Sequence, residues 1–202
     1  EPAAKTPVQN TSALTQPEKD AVKKAVEDAN PTATKVEVGN DGSATVTFPD
    51  GTTATLTGDK TVKEADSKGV QEPAAKTPVQ NTSALTQPEK DAVKKAVEDA
   101  NPTATKVEVG NDGSATVTFP DGTTATLTGD KTVKEADSKG VQEPAAKTPV
   151  QNTSALTQPE KDAVKKAVED ANPTATKVEV GNDGSATVTF PDGTTATLTG
   201  DK

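Results

Sequence analysis

The stretch Ala-Thr-Val-Thr-Phe-Pro-Asp-Gly-Thr-Thr-Ala-Thr-Leu-Thr-Gly at residues 44–58 decides the fold, and it recurs unchanged at residues 115–129 and 186–200. On either side of Pro-Asp-Gly, apolar residues alternate with threonines, which is typical of a β-hairpin. Pro-Asp-Gly suits a type I turn closed by a glycine in the left-handed conformation. The sequence therefore predicts a chain of hairpin-centred modules.

The hairpin belongs to a tandem repeat with a period of 71 residues. Residues 1–71 recur letter for letter as residues 72–142, and residues 143–202 match residues 1–60. This period is longer than that of common solenoid repeats, so each unit can hold its own small core. The chain begins without Met and stops within a repeat, so we expect it to be a piece of a longer protein.

Three strands are predicted in each repeat. In the first copy, the strand patterns lie at residues 34–38, 43–48 and 52–57, joined by Asn-Asp-Gly and Pro-Asp-Gly turns. Both are three-residue loops, so they fix the register: Phe48 lies opposite Thr52, and Val46 then faces its apolar partners on both neighbours. A slip of one residue would turn every apolar side chain to the wrong face. The expected result is a three-stranded antiparallel meander.

A helix precedes the strands. Thr15 and Glu18 are predicted to form a capping box at its start, and an apolar stripe at helical spacing follows. Asn30, in a left-handed cap conformation, and Pro31 end the helix. Packed across the apolar face of the meander, the helix gives an α+β unit. The predicted core is small: Leu14, Ala21, Val22, Ala25, Val26, Ala29, Val36, Val38, Val46, Phe48, Leu56 and, at its edge, Val62.

The Pro-containing segments between the modules are predicted to be linkers. The expected division is linker 1–13, module 14–63, linker 64–84, module 85–134, linker 135–155 and module 156–202, the last truncated at its C-terminal end. Segments of this kind favour extended, semi-rigid conformations, so the three small domains are expected to form an elongated array. An alternative stays open, in which part of a linker lies against its module as an extra strand.

Composition excludes several classes of partner. The chain has no His and no Cys, three Phe are its only aromatic residues, and all 22 basic residues are Lys against 31 acidic ones. An acidic chain without Arg lacks both the phosphate-binding charge and the stacking platforms of nucleic-acid binders. No apolar run approaches the ~18 residues of a membrane span. We therefore expect neither nucleic acid nor membrane insertion.

No catalytic, cofactor-binding or metal site is expected. A hydrolase would need a base beside a Ser or Thr nucleophile, and the ligands that zinc prefers are His and Cys. Asp41 and Asp50 could be parts of a calcium loop, but their spacing does not match the EF-hand and turn chemistry explains both. The exposed edge strands, to which an extended peptide could add, are the remaining generic binding feature.

Residues 43–63 (SATVTFPDGTTATLTGDKTVK) resemble repeats of Gram-positive cell-wall-anchored surface proteins, in particular the streptococcal Rib and alpha-type group. Those repeats carry a similar strand, a Tyr/Phe-Pro-Asp-Gly turn, a second strand and a closing Val-Lys. The near-identical copies also resemble the variable-length stalks of streptococcal and staphylococcal adhesins, known as periscope proteins. The helix at residues 15–30 departs from the Rib pattern, which favours a distinct domain family in the same kind of protein.

This resemblance implies an exported, wall-anchored protein at the bacterial surface, whose repeats hold an adhesive domain away from the cell. The favoured hypothesis is a structural stalk, a monomeric array without enzymatic activity or cofactor, in which repeat number sets the reach. The alternative hypothesis is that the repeats are themselves adhesive. They would then bind a host surface or matrix protein, or each other, with weak sites multiplied by copy number.

Overall fold

The computed structural model describes all residues from 1 to 202, and each repeat contains a helix and a three-stranded antiparallel sheet. The predicted α+β class is therefore confirmed. The first repeat comprises β1 (Thr6–Val8), α1 (Gln16–Ala29), β2 (Lys35–Val38), β3 (Ala44–Thr47), β4 (Thr53–Leu56), α2 (Gly58–Thr61), β5 (Val62–Glu64) and a 3₁₀ helix (Asp66–Gly69). The second comprises β6 (Thr77–Val79), α3 (Gln87–Ala100), β7 (Lys106–Val109), β8 (Ala115–Thr118), β9 (Thr124–Leu127), α4 (Gly129–Thr132), β10 (Val133–Glu135) and a 3₁₀ helix (Asp137–Gly140). The third comprises α5 (Gln158–Ala171), β11 (Lys177–Val180), β12 (Ala186–Thr189) and β13 (Thr195–Leu198).

The register of the sheet is the one that the two turns predict. The N–H of Phe48 donates to the carbonyl of Thr52 over 2.9 Å. Val46 consequently lies opposite Ala54 on one side and opposite Val36 on the other. The glycines that close the two turns have φ values of +78° and +82°, in the left-handed region that the turn chemistry requires. Local turn geometry thus determines which face of the sheet is apolar.

Helix α1 begins at the predicted capping box. The N–H of Glu18 donates to Thr15 Oγ1 over 3.4 Å, and the Glu18 carboxylate accepts from the N–H of Thr15 and of Gln9 over 2.9 and 3.0 Å. At the other end, Asn30 has a φ of −134°, so the predicted left-handed cap is wrong. The Asn30 side chain donates instead to the carbonyl of Val26 over 2.8 Å, which satisfies the end of the helix without a left-handed residue.

The core of the first repeat differs in part from the predicted one. Val22 and Val26 are fully buried, but Ala21 and Ala29 are exposed, because the helix buries a narrower stripe than its apolar positions suggested. Phe48 is only half-buried. The buried cluster consists of Val8, Leu14, Val22, Val26, Val36, Ala44, Val46 and Val62.

Part of the segment predicted as a linker is a strand. Strand β1 pairs in parallel with β5, with Thr6 opposite Val62 and Val8 opposite Glu64, and β6 pairs with β10 in the same way. The alternative that the sequence left open, an extra strand from the linker, is therefore what the fold contains. Val8 is 1% exposed and belongs to the core. The boundaries between linker and module stay a prediction.

Helix α2 directly precedes β5 and contacts the Asn-Asp-Gly turn. The buried hydroxyl of Thr61 donates to the carbonyl of Gly42, and also to that of Gly58 over 3.2 Å. A Cβ atom added to Gly42 would lie 2.8 Å from Val62 Cγ1, and one added to Gly58 would lie 2.1 Å from the carbonyl oxygen of Asp41. Glycine is required at both positions because the backbone of α2 and the side chain of Val62 approach the Asn-Asp-Gly turn so closely.

The chain divides into two compact units. The first comprises Glu1–Glu72, Val97–Glu108 and Ala115–Leu127, and the second comprises Pro73–Ala96, Val109–Ser114 and Thr128–Lys202. The first unit therefore contains the whole first repeat with strands β8 and β9, and the second contains the β6–β10 pair with the whole third repeat. None of the helices is both long and apolar enough to cross a membrane.

Candidate functional site at the repeat junctions

The two carboxylates weighed as calcium ligands act within their own turns. Asp41 Oδ1 accepts from the N–H of Ser43 over 3.0 Å, and Asp50 Oδ1 accepts from the N–H and the hydroxyl of Thr52 over 3.0 and 2.6 Å. Hydrogen bonds from the side chains and then the backbones of Ser43 and Thr52 hold the pKa values of these carboxyls below their ordinary range. No group of three or more metal-ligating side chains is arranged to hold a metal ion.

Several hydrogen bonds join the end of one repeat to the repeat that follows it. Within the first unit, the N–H of Asp66 donates to Asp121 Oδ2 over 2.7 Å, and the N–H of Ser67 donates to Thr123 Oγ1 over 3.1 Å. The first N–H groups of a helix have no partner inside that helix. The Pro-Asp-Gly turn of the second repeat therefore caps the 3₁₀ helix that ends the first repeat.

The turn itself aims the capping carboxylate. Asp121 Oδ1 accepts from the N–H and the hydroxyl of Thr123 over 3.0 and 2.6 Å, which leaves Oδ2 directed at Asp66. Partial burial raises the pKa of Asp121, but hydrogen bonds from Asp66 and Thr123, with the charge of Lys63, outweigh burial and hold that pKa below its ordinary value. The carboxylate is therefore ionised at neutral pH, the state that a helix N-terminus favours.

A second contact lies at the end of the junction segment. The N–H of Gln71 donates to Asn101 Oδ1 over 2.8 Å, and Asn101 Nδ2 donates back to the carbonyl of Gln71 over 2.9 Å. The same nitrogen donates to the carbonyl of Val97 over 2.9 Å. Asn101 is only 4% exposed, and its polar atoms are all partnered. A buried amide satisfied in this way specifies one position for the segment that it holds.

The second unit contains the same contacts between the second and third repeats. The N–H of Asp137 donates to Asp192 Oδ2 over 2.7 Å, and that of Ser138 donates to Thr194 Oγ1 over 3.1 Å. The N–H of Gln142 donates to the side chain of Asn172 over 2.8 Å. Val141 packs against the hydrophobic core of the third repeat. Two junctions of identical sequence thus have the same hydrogen bonds at the same lengths.

The first repeat displays the acceptor face of this junction without a segment on it. Asp50 and Thr52 are exposed there, whereas Asp121 and Thr123 are half-buried in the second repeat. Phe48 is likewise half-buried, whereas Phe119 is 4% exposed. Because these residues have identical sequence surroundings, the difference comes from the docked segment of the preceding repeat.

Sequence reasoning did not find the junction. The segment at residues 64–71 is polar and has no periodic pattern, so the sequence predicts a linker there. Its one usable signal is Val70, an apolar residue in a polar stretch, whose counterpart Val141 packs on the next core. The acceptors, Asn101 and Asp121, are fully explained locally as a helix end and a turn, so nothing in the linear pattern indicates their second role.

Among solved structures, the chain is similar to regions of adhesins, each with a TM-score under 0.5. The sialic acid binding region of the Streptococcus sanguinis SK1 adhesin, solved bound to 3'sLn, is 24% identical with a TM-score of 0.35, over 100% of this chain and 65% of that one. The SrpA adhesin from Streptococcus sanguinis is 28% identical with a TM-score of 0.35, over 46% of this chain and 49% of that one. A GspB Siglec domain is 19% identical with a TM-score of 0.34, over 51% and 70%. No curated protein matches the sequence at a significant level.

A family model assigns the chain more directly. The model of the atypical Rib domain matches three times, at residues 1–65, 68–136 and 139–202. These three matches follow the three sequence repeats, and they confirm the resemblance to Rib-type repeats seen at residues 43–63. The first two matched segments begin ahead of β1 and β6 and extend past β5 and β10, so each includes the parallel strand pair as well as the helix and the meander. The chain therefore belongs to the atypical Rib domain family and consists of three tandem copies of that domain.

Proposed function

We propose that the chain is a spacer region of a Gram-positive surface protein, located outside the cell, in which the number of repeats sets the reach of an adhesive domain. The single observation that carries this proposal is the hydrogen-bonded junction. Asp66 and Gln71 at one junction, and Asp137 and Gln142 at the next, meet their acceptors at the same distances. In this proposal, each added repeat meets its predecessor through the same contacts.

A held junction suits a spacer better than a free linker does. The end-to-end distance of a flexible chain grows only as about the square root of its length, whereas repeats joined in one fixed geometry add a constant increment. Charge acts in the same direction, because each complete repeat carries 8 Lys against 11 acidic residues and neighbouring repeats repel weakly. In this proposal the array is monomeric, is not an enzyme and needs no cofactor.

Small-angle X-ray scattering of chains with three, four and five repeats tests the spacer. The maximum dimension is expected to grow by the same amount with each repeat. The control is a five-repeat chain in which the Asp and Asn of every junction are replaced by Ala, at positions equivalent to Asp121 and Asn101. Its dimension should fall below that of the parent and its distance distribution should broaden. A maximum dimension that hardly changes from three to five repeats contradicts the proposal.

Adhesive repeats are the second candidate, and one surface favours them. The outer face of each sheet carries threonines beside a Lys–Glu ion pair of 2.7 Å, formed by Lys35 and Glu37 in the first repeat and repeated identically in the other two. A weak site presented three times could gain avidity for a host surface or matrix protein. Titration of three-repeat and six-repeat chains onto such proteins tests whether the repeats are adhesive. A steep gain with repeat number supports adhesion, and equal or absent binding contradicts it.

A further inference from the structure

The strands that begin and end the first module lie side by side and run in the same direction. Strand β1 pairs in parallel with β5, with Thr6 opposite Val62 and Val8 opposite Glu64. The helix α1 and the three-stranded meander lie between these two strands in the sequence. The chain therefore enters the module at one end of the parallel pair and leaves it at the opposite end.

This arrangement determines how tension along the chain acts on the module. Tension draws β1 towards its N-terminal end and β5 towards its C-terminal end, so the two strands are pulled past each other along their common axis. The evenly spaced hydrogen bonds of a parallel pair then bear the load at the same time. Antiparallel terminal strands would instead be pulled from one end and peeled apart bond by bond. The module is therefore loaded in shear.

The proline in β1 does not weaken the pairing. The N–H of Ala65 donates to the carbonyl of Val8 over 2.8 Å, so the backbone groups of Val8 face β5. Successive residues of a strand direct their backbone groups to opposite sides, so those of Pro7 face away from β5. Because proline has no N–H to donate, it lies at the position of β1 where the pair needs no donor.

Side chains hold the two strands against sliding. Val8 is 1% exposed and Val62 is 6% exposed, so each strand anchors an apolar side chain in the core of the module. Just beyond the strands, Gln9 Nε2 donates to Ser67 Oγ over 2.9 Å. Movement of one strand along the other must therefore break this hydrogen bond and withdraw a valine from the core, which costs hydrophobic free energy.

The second repeat has the same arrangement. Strand β6 pairs in parallel with β10 in the same register. The N–H of Ala136 donates to the carbonyl of Val79 over 2.8 Å, and Gln80 Nε2 donates to Ser138 Oγ over 3.0 Å. The pairing of the terminal strands, with its backbone and side-chain hydrogen bonds, is therefore present in two copies.

We propose that each of these parallel pairs is a mechanical clamp, which keeps its module folded when the chain is pulled from both ends. Tension passes from one terminal strand directly to the other, so the helix and the meander carry no load until the pair slides. Forced unfolding is governed by the unfolding rate and not by the equilibrium free energy. A module with a small core therefore resists force out of proportion to its stability. The clamp belongs to a single module and does not depend on the proposed spacer role.

Pulling the first module in two directions tests the clamp. The chain has no Cys, so two introduced cysteines define where the handles for single-molecule force spectroscopy attach. Lys5→Cys with Lys68→Cys loads the β1–β5 pair in shear, whereas Lys5→Cys with Lys60→Cys loads the same pair from one end and peels it. All three lysines are exposed. In both geometries the tether should lengthen by roughly 200 Å as the module opens.

The two geometries should differ in the force at which the module opens. At equal loading rate, the shear geometry should need roughly threefold more force, because three residue pairs share the load instead of bearing it one after another. The peeling geometry is a matched control, since it opens the same module with the same core. Equal opening forces in the two geometries overturn the proposal.

A substitution within the pair separates the clamp from the general stability of the module. Ala65 has a φ of −65°, which proline adopts, so Ala65→Pro removes the N–H that donates to Val8. The shear force should fall, whereas the peeling force should hardly change, because peeling starts at the opposite end of the pair. Gln9→Ala, which removes the hydrogen bond to Ser67, makes the same comparison with a smaller disturbance if the proline variant does not fold. A variant that lowers both forces by the same factor, or neither of them, contradicts the clamp.

Discussion

The carboxylate of Asp121 accepts a hydrogen bond of 2.7 Å from the backbone N–H of Asp66, which lies 55 residues earlier in the chain and in the preceding repeat. One residue thus closes its own hairpin turn and caps the helix that ends the neighbouring module. The segment that reads as a linker is therefore held by the next repeat. Because the first repeat has the same turn without a docked segment, the chain supplies a matched control for each junction residue.

Replacing Asn101 by Ala is expected to destabilise the protein more than replacing Asn30. Both side chains donate to a helix carbonyl four residues earlier, but only Asn101 also makes the two hydrogen bonds with the backbone of Gln71. The substitution removes both of these hydrogen bonds, so the extra cost should be about 1–2 kcal/mol. Urea denaturation of the two variants measures it, and equal midpoints would contradict the assigned junction.

The contribution of the junction carboxylates should disappear in acid. Folding lowers the pKa of Asp121 and Asp192. A group with a lowered pKa stabilises the folded state above its unfolded value of about 3.9, and that stabilisation is lost as the pH falls through the folded value. The free-energy difference between the parent and the Asp121→Asn, Asp192→Asn variant should therefore be constant near neutral pH and shrink below about pH 4.

The Asp50→Asn variant is the control for this pH dependence. In the parent chain, the Asp50 carboxylate makes the same turn contacts with Thr52 but caps no neighbouring helix. The variant therefore measures how much the turn contacts alone contribute to the free energy of unfolding. Denaturation of the parent, the double variant and the Asp50→Asn variant from pH 2 to 7 gives the loss of unfolding free energy in each variant as a function of pH. If each Asp of the double variant contributes no more than Asp50 at every pH, the carboxylates do not stabilise the junctions.

Phe119 is expected to be a stronger core anchor than Phe48. Phe119 is 4% exposed, whereas Phe48 is half-buried, because its repeat has no docked segment over it. The Phe119→Ala variant should lose about 3–5 kcal/mol, the usual cost of removing a buried phenylalanine. The Phe48→Ala variant should lose less. Thermal unfolding followed by circular dichroism compares them, and an equal or greater loss at Phe48 would show that the segment does not protect the core.

Substitution of Gly58 by Ala should unfold the first repeat. The added Cβ would lie 2.1 Å from the backbone carbonyl oxygen of Asp41, a contact that only a shift of the backbone could relieve. The cost should exceed about 3 kcal/mol. Gly69→Ala is the control, because no atom lies within 4 Å of the position that its Cβ would occupy. Hydrogen exchange of the first repeat measures both variants, and equal protection would disprove the close approach.

Local chemistry made the module predictable. Each predicted feature involves only a few neighbouring residues: the three-residue turns, the capping box and the alternation of apolar and polar residues in the strands. Such features can be recognised in the linear sequence. The pairing of Val46 with Ala54 and Val36 follows from the turns alone. The predicted Asn30 cap was wrong because its side chain satisfies the helix end by a route that backbone preference does not reveal.

The sequence by itself determined the repeat, the composition of each module, its helix and the register of its meander. Only the tertiary structure decided that Thr6–Val8 pairs with Val62–Glu64 and that residues 66–71 dock on the next module, since both contacts join short segments that lie far apart in the chain and have no periodic pattern. It also decided how identical copies differ. Phe48 and Phe119 have the same local sequence, and only the presence of a preceding repeat determines which is buried.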